Sequence, residues 1–507
     1  MKQKTPPFPG FWRLVVVGLF LVVTACKPSP APSTPFSSPM PSVTKTASPP
    51  ETATATTTST PTRTLLSTST ATPTATPAPL AIPIHGIEIH RLPDVLPSAQ
   101  AGAFWMRKNA LLWHQVERVE GERNWNSLAT IEAILKTAAE QSQTTILIVR
   151  STPPWAQKVP GYYCGPVKAE KFGAFASFMA DLVARYSVPP YNVKYWEIGN
   201  EPDVAPSQVP PDNLYGCWGQ EGDPYFGGEY YAEMLKVVYP QIKKIDPQAQ
   251  VLVGGLMLAC DPNNPPESTP GSGQLADCTS ARFIEGILKN GGGDYFDGIS
   301  FHAYDYFARL VGRYGNGSWH SVWNTTGPTL SAKADFLNAL LARYGVEGKY
   351  LMNTEIGLLC GSSGDESFCR TEAYANMKSA YLAQSYVAAL AKGLYANIWF
   401  SITGWRGSAL LDSARQPNST YQALRASSDR LAKAAFWGEI GDYPGVKGYE
   451  FYRGGTRIWV LWAMDDEAHT VKLPNPPAAV YDVLGAALPV AQEVVVTIAP
   501  LYVEWNP

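Results

Sequence analysis

Tyr195-Trp196-Glu197-Ile198-Gly199-Asn200-Glu201-Pro202 is an aromatic and aliphatic run that stops abruptly at an Asn-Glu pair followed by proline. From Val193 to Ile198 the residues suit a pleated, buried strand, and Pro202 lacks the N–H needed to continue a ladder. Glu201 is therefore expected at the carboxyl end of a strand. A second strand-like run, Lys349-Tyr350-Leu351-Met352-Asn353-Thr354-Glu355, also finishes on a glutamate and is followed by Ile356-Gly357. In parallel sheets flanked by helices the carboxyl ends of the strands gather on one side, so the two glutamates are expected to share a rim.

Outward from these two runs, apolar strand-like segments alternate with stretches of helical period. Strands are expected near Ile84–Ile89, Gly102–Lys108, Thr145–Arg150, Val193–Gly199, Gln250–Gly255, Phe296–His302, Lys349–Glu355 and Asn397–Ile402. Helices are clearest at Lys168–Tyr186, Glu229–Ile245, Ser331–Tyr344 and Thr371–Leu390, where apolar residues recur every three or four positions. Eight strands alternating with helices predict a (β/α)8 TIM barrel over residues 81–434. Beyond a last helix around Tyr421 to Phe436 the texture changes to short strands broken by turns. Gly448–Tyr452, Ile458–Ala463, Thr470–Leu473, Val480–Val483, Val494–Ile498 and Leu501–Trp505 predict a small antiparallel β-sandwich over 435–507.

Two carboxylates on one rim are what cleavage of a glycosidic bond requires, one to protonate the leaving oxygen and one to attack the sugar or activate water. Trp-Glu-Ile-Gly-Asn-Glu-Pro followed much later by Thr-Glu-Ile-Gly resembles the paired signature of the clan A retaining glycoside hydrolases, most closely the β-xylosidase-type family 39. The resemblance implies that Glu201 is the acid/base and Glu355 the nucleophile. The interval between them also accommodates the three β/α units that separate strands four and seven. An acid catalyst must meet its substrate protonated, which requires burial or a neighbouring carboxylate.

The same resemblance assigns further residues. Asn200 would bond the sugar's 2-hydroxyl. Arg107, in Ala103-Phe104-Trp105-Met106-Arg107, would sit beside the nucleophile and keep it charged. His302 and Tyr304, in Ser300-Phe301-His302-Ala303-Tyr304, would contact the sugar or the acid and orient the nucleophile. Trp399 on strand eight would floor the reacting sugar, with Trp405 as the alternate, and Trp155 after strand three would stack in a subsite. Alternation along the strand places Glu197 on the face of Glu201, so it is expected to be a buried partner of Arg107 or Arg150 rather than a catalyst. Fifteen Trp and 26 Tyr suit a cleft where flat rings meet sugar faces, although most are expected in the core.

The carbohydrate reading has rivals: another clan A activity such as an endo-glucanase or arabinofuranosidase, or a surface lipoprotein that binds carbohydrate without hydrolysing it. Other chemistries lack their motifs. There is no Gly-x-Ser-x-Gly elbow, no phosphate-cradling Gly-Lys-Ser/Thr loop and no His-Glu-x-x-His, and the six histidines are scattered, so neither metal nor cofactor is expected. The formal charge of −3 argues against a nucleic-acid partner.

At the amino terminus, Lys2, Lys4 and Arg13 precede the apolar run Leu14 to Val23, and Val23-Thr24-Ala25-Cys26 resembles a bacterial lipobox. Residues 1–26 are thus read as a lipoprotein signal peptide with Cys26 carrying the lipid; a plain secretory signal is the alternative. Residues 27–80 are nearly all Pro, Ser, Thr and Ala, too poor in apolar side chains to offset their own ordering entropy, and are expected to form a disordered linker. Either signal implies export, to the cell surface if lipidated. Export makes the six remaining cysteines candidates for disulfides. Proximity suggests Cys260 with Cys278 and Cys360 with Cys369, leaving Cys164 with Cys217; sequence alone does not fix that connectivity.

Overall fold

The structure, a computed structural model, describes residues 82–265, 278–307, 319–321, 323 and 327–506. The signal peptide, Cys26 and the linker lie outside the described residues. Eight parallel strands, β1 (His85–Glu88), β2 (Trp105–Leu112), β3 (Thr144–Arg150), β4 (Tyr195–Asn200), β5 (Gln250–Leu256), β6 (Gly298–Phe307), β7 (Tyr350–Leu359) and β8 (Ala396–Trp399), each pair with the next. β8 pairs with β1 through His85 and Asn397, which closes the barrel. Helices α1 (Ala129–Glu140), α2 (Phe172–Tyr186), α3 (Gly228–Ile245), α4 (Phe283–Lys289), α5 (Leu330–Arg343), α6 (Glu372–Ala391) and α7 (Ser419–Leu431) accompany it. This is the TIM barrel that the alternating pattern predicts. Among the described residues no helix is long and apolar enough to cross a membrane.

The strand period of two sorts the barrel interior into layers. Trp105, Ile146, Leu252, Met352, Ala396 and Ile398 form an apolar plug near the amino-terminal end. Two residues further along β2, on the same face as Trp105, Arg107 opens a charged layer with Glu88 and Glu197. Gly86 lies in the plug, where a Cβ would stand 2.3 Å from Ile398 and 2.7 Å from Trp105, so only glycine lets β1 approach its neighbours.

β6 and β7 are longer than expected. β7 does not stop at Glu355 but runs to Leu359, and β6 runs past His302 to Phe307. The extensions pair with each other, Tyr304 opposite Gly357 and Tyr306 opposite Leu359. Backbone ladder bonds therefore hold the ground around Glu355 rigidly.

The carboxyl-terminal strands are β9 (Ala435–Ile440), β10 (Val446–Arg453), β11 (Thr456–Ala463), β12 (His469–Lys472), β13 (Ala479–Tyr481), β14 (Ala487–Leu488), β15 (Glu493–Val496) and β16 (Leu501–Trp505). They form a six-stranded antiparallel sheet, β9-β10-β11-β16-β13-β14, and a two-stranded ribbon, β12-β15. The large sheet is apolar on both faces. Trp459, Leu461, Val503 and Trp505 join Val471, Val494 and Val496 of the ribbon in a separate core. The alternate residues Phe451, Ile458, Val460, Trp462 and Tyr502 merge with the core of the barrel's helical layer. Gln384 of α6 adds a 2.7 Å hydrogen bond to the Ile498 carbonyl.

Three disulfides, Cys164–Cys217, Cys260–Cys278 and Cys360–Cys369, have Cα separations of 5.3, 5.6 and 5.6 Å. All six cysteines lie beyond the carboxyl ends of strands, where loops rather than ladders must hold the chain. Cys164–Cys217 joins the loops after β3 and β4 across 53 residues of sequence. Replacing both cysteines by alanine is expected to cost about 2–5 kcal/mol in chemical denaturation, because the cross-link restricts a long loop in the unfolded chain.

Candidate active site

Asn200 is the last residue of β4, and the chain turns sharply after it. Glu201 adopts a left-handed backbone with φ of 53°, unusual for a side chain of this size. Its N–H donates to the Gly255 carbonyl at 2.8 Å, which holds the turn against β5. The Glu201 carboxylate then meets His302 Nδ1 at 3.0 Å. Gly255 itself must be glycine: a Cβ there would fall 2.1 Å from His302 Nε2 and 2.9 Å from Glu197 Oε1.

Glu355 faces Glu201 from β7. Tyr304 Oη donates to Glu355 Oε2 at 2.6 Å, Arg107 Nη1 donates to Oε1, and His302 Nδ1 stands 3.6 Å from Oε2. Glu201, His302 and Glu355 each bring a side-chain oxygen or nitrogen within 4.8 Å of the other two. Burial alone would raise the Glu355 pKa; His302, Arg107 and the Tyr304 hydrogen bond outweigh it and hold the carboxyl below its ordinary value. Burial would lower the His302 pKa, yet Glu355 and Glu201 hold it above its ordinary value.

Comparison with protein-family models and with curated proteins finds no match. Comparison with solved structures finds many. A family 39 glycoside hydrolase from the gut symbiont Bacteroides cellulosilyticus is 19% identical, with a TM-score of 0.61 over 84% of this chain and 81% of that one. A family 30 endoxylanase from Clostridium papyrosolvens is 12% identical, with a TM-score of 0.57 over 85% and 98%. A family 86 enzyme in complex with neoagarooctaose is 12% identical, with a TM-score of 0.54 over 80% and 70%.

The chain has the fold of clan A glycoside hydrolases. At these identities the likeness is one of architecture. Within this clan A fold, the chemistry has to be read from the side chains themselves.

Arg107 is the hub of the charged layer. Fully buried, its guanidinium donates to Glu197 through Nε at 3.2 Å and Nη2 at 2.7 Å, to Glu88 at 2.6 Å, to Asn200 Oδ1 at 2.7 Å, and to Glu355. Of the two partners expected for Glu197, the structure selects Arg107. Glu88, which the sequence reading overlooked, completes the layer. Burial pushes its carboxyl up to about 7, with the Glu355 charge adding to the rise against the pull of Arg107. Of the carboxylates that Arg107 touches, Glu88 is thus held reluctant to ionise, chiefly by its burial. In β1 it follows Gly86 at a spacing of two, which is the only sign of its inward direction in sequence.

Because Glu88 has a raised folded pKa, its contribution to stability is complete below the ordinary carboxylate range and is lost as pH rises through about 7. Glu88→Gln, which cannot ionise, is expected to gain melting temperature relative to the unaltered protein as pH goes from 5 to 8. A constant difference across that range would contradict the proton-holding role.

Trp399 differs from expectation. It is fully buried on the outer side of the barrel wall, its indole N–H on the Ser408 carbonyl at 2.8 Å, and it has no face to offer a sugar. β8 ends at Trp399 instead of reaching Ile402, and alternation sends the next residue, Phe400, inward. Phe400 packs edge-on against His90, Tyr304 and Trp405. Trp405, 49% exposed, stands 6.0 Å from the Tyr304 ring and provides the open aromatic surface beside the carboxylates. Trp155 contacts Trp113, the Glu117 carbonyl and Lys171, and its contacts include neither glutamate.

Supporting groups stand behind these side chains. Lys333 of α5 donates to the carbonyls of Met257 and His302 at 2.8 and 2.7 Å, and Asp203 accepts from the N–H groups of Met257 and Leu258 at 2.8 Å each. Glu201, His302 and Glu355 could together offer three ligands to a cation. The Arg107 charge on Glu355 opposes a divalent ion there, and the carboxylate's remaining oxygen already takes the Tyr304 proton donor.

Proposed function

We propose that this protein is a retaining glycoside hydrolase that cleaves O-glycosidic bonds of oligo- or polysaccharides through a covalent glycosyl-enzyme intermediate. The observation that carries this reading is the approach of Glu201 and Glu355, whose nearest carboxylate oxygens lie within 4.8 Å. Retaining enzymes hold their two carboxyl groups about 5–5.5 Å apart, whereas inverting enzymes leave about 6.5–9.5 Å for a water. Glu201, which faces the ionised Glu355 across the gap, gives its proton to the leaving oxygen. Glu355, kept ionised by Arg107, His302 and Tyr304, attacks the anomeric carbon from the opposite face. Glu201 then takes a proton from water, which attacks the same carbon and releases Glu355. Asn200 spends its carbonyl oxygen on Arg107, leaving its amide N–H groups for the sugar's 2-hydroxyl, a bond that strengthens as the ring flattens.

The test is a panel of aryl glycosides and plant or bacterial polysaccharides, with the anomer released first followed by NMR. Retention supports the mechanism; inversion overturns it. Tyr304→Phe is expected to lower kcat about 10- to 100-fold, since a hydrogen bond to a charged group contributes about 1.5–3 kcal/mol. It should also move the acidic limb of the pH profile upward, because that hydrogen bond is among the forces lowering the Glu355 pKa.

Export and a lipid at Cys26 complete the proposal, on the strength of the Val23-Thr24-Ala25-Cys26 motif. Metabolic labelling with a radioactive fatty acid should mark the protein and fail to mark Cys26→Ser. The stretch from 27 to 80 would act as a tether and the carboxyl-terminal sheet as a brace for α6.

A further inference from the structure

Arg150 ends β3 on the inward face set by Ile146 and Ile148. It lines a recess beside Asn200, with Ser151, Thr152, Tyr215 and Trp218 around it. Its guanidinium forms neither hydrogen bond nor ion pair with any described residue, and its Nε is sealed from solvent without a partner. The acidic groups of the site do not explain this cation. Arg107 already binds Glu88, Glu197 and Glu355, and His302 binds Glu201. Burial draws the Arg150 pKa down to about 10 against the fields of Glu88, Glu355 and Glu201; the residue is half-buried, and no described side chain compensates its charge by contact. Tyr215, 42% exposed, lies within the electrostatic reach of both Glu201 and Arg150, which connects the recess to the acid.

A planar guanidinium left without partners on the wall of a recess beside the candidate acid suits a bidentate anion. We propose that Arg150 selects saccharides bearing an anionic group, a carboxylate or a sulfate ester, on the sugar held beside Asn200. This rests on the glycoside hydrolase reading for its setting, although binding of the anion does not require turnover. The substituent supplies the charge partner that the protein withholds, and a neutral sugar at the same place covers the half-buried guanidinium without pairing it. Discrimination should therefore come from a penalty on neutral substrates as well as from attraction to charged ones.

The experiment compares matched aryl glycosides that are neutral, uronic or O-sulfated, using the full chain and the variants Arg150→Met and Arg150→Lys. Calorimetry with oligosaccharides of each class measures binding alone. The unaltered protein should favour at least one anionic class over its neutral counterpart by about tenfold or more in kcat/KM. Arg150→Met should erase that ratio, and Arg150→Lys, which keeps the charge without the fork, should fall between. Rising salt should weaken binding of the anionic class alone. Which class responds identifies the anion as carboxylate or sulfate. No preference in the unaltered protein, or equal losses on neutral and anionic substrates in Arg150→Met, overturns the proposal. Thermal melts establish that the variants are folded. A protein that cleaves neutral glycosides without anion preference refutes the role of Arg150 alone. One that binds anionic oligosaccharides through Arg150 yet cleaves nothing refutes hydrolysis alone.

Discussion

Glu355→Ala is expected to lower kcat on an aryl glycoside by on the order of 10⁴–10⁶, the scale seen when a covalent nucleophile is removed. Nothing else in the site can take its place. Glu201 faces the other side of the gap, Glu197 is locked on Arg107 by two hydrogen bonds, and Glu88 is fully buried on the same guanidinium. Added azide separates the two roles. In Glu355→Ala it should enter the vacated side and give a glycosyl azide of inverted configuration. In Glu201→Ala it should intercept the intermediate from the water side and give the retained product. Glu201→Gln should also slow cleavage of poor leaving groups far more than good ones, since a good leaving group departs without a proton. Equal losses on both would count against Glu201 as the acid.

Arg107→Met should be the most damaging single change for stability, costing about 3–5 kcal/mol, because removing one partner of a buried ionic cluster strands the others. Here three carboxylates would lose their only shared cation among the described residues. Protonating them relieves the stranded charge, so unfolding midpoints should recover partly at low pH. Activity should fall with stability, since Glu355 loses one of the forces keeping it ionised and Asn200 loses its anchor. Arg107→Lys keeps a charge but cannot span Glu88, Glu197, Asn200 and Glu355 at once, so it should restore some stability and little activity. Denaturation curves for both variants, read beside their pH-rate profiles, check this. A stable and active Arg107→Met would refute the hub role.

How much of this lay open in the sequence depended on whether a side chain's direction was set locally. Asn200 and Glu201 were legible because Pro202 ends the strand on the spot, which fixes their place on the rim. Glu355 was legible by motif, yet its strand continues to Leu359; only the pairing of β7 with an equally long β6 makes that extension stable. Trp399 shows the sharpest limit. A strand has a period of two, so reading it one position out exchanges the inner and outer faces. Phe400 points into the site and Trp399 away from it, a choice made by the pairing of β8 with β1.

Glu88 was hidden for a related reason. A single carboxylate in a short strand is usually solvated, and only closure of the barrel places it on Arg107. The strand β9 went unread because its register shifts between Phe436 and Gly438, which breaks the alternation that identifies a half-buried strand. Arg150 was visible as a charge at a strand end. That Glu197 pairs with Arg107 and also takes the Gly255 N–H, leaving Arg150 without an ion pair, is a fact of three-dimensional contact.

The most direct trial of the account is covalent trapping with an activated 2-deoxy-2-fluoro glycoside of the best substrate, followed by peptide mapping by mass spectrometry. One sugar per chain is expected, attached to the peptide containing Asn353-Thr354-Glu355 and located on Glu355. A label on any other carboxylate, or full turnover of the reagent with inversion and no label, would contradict it.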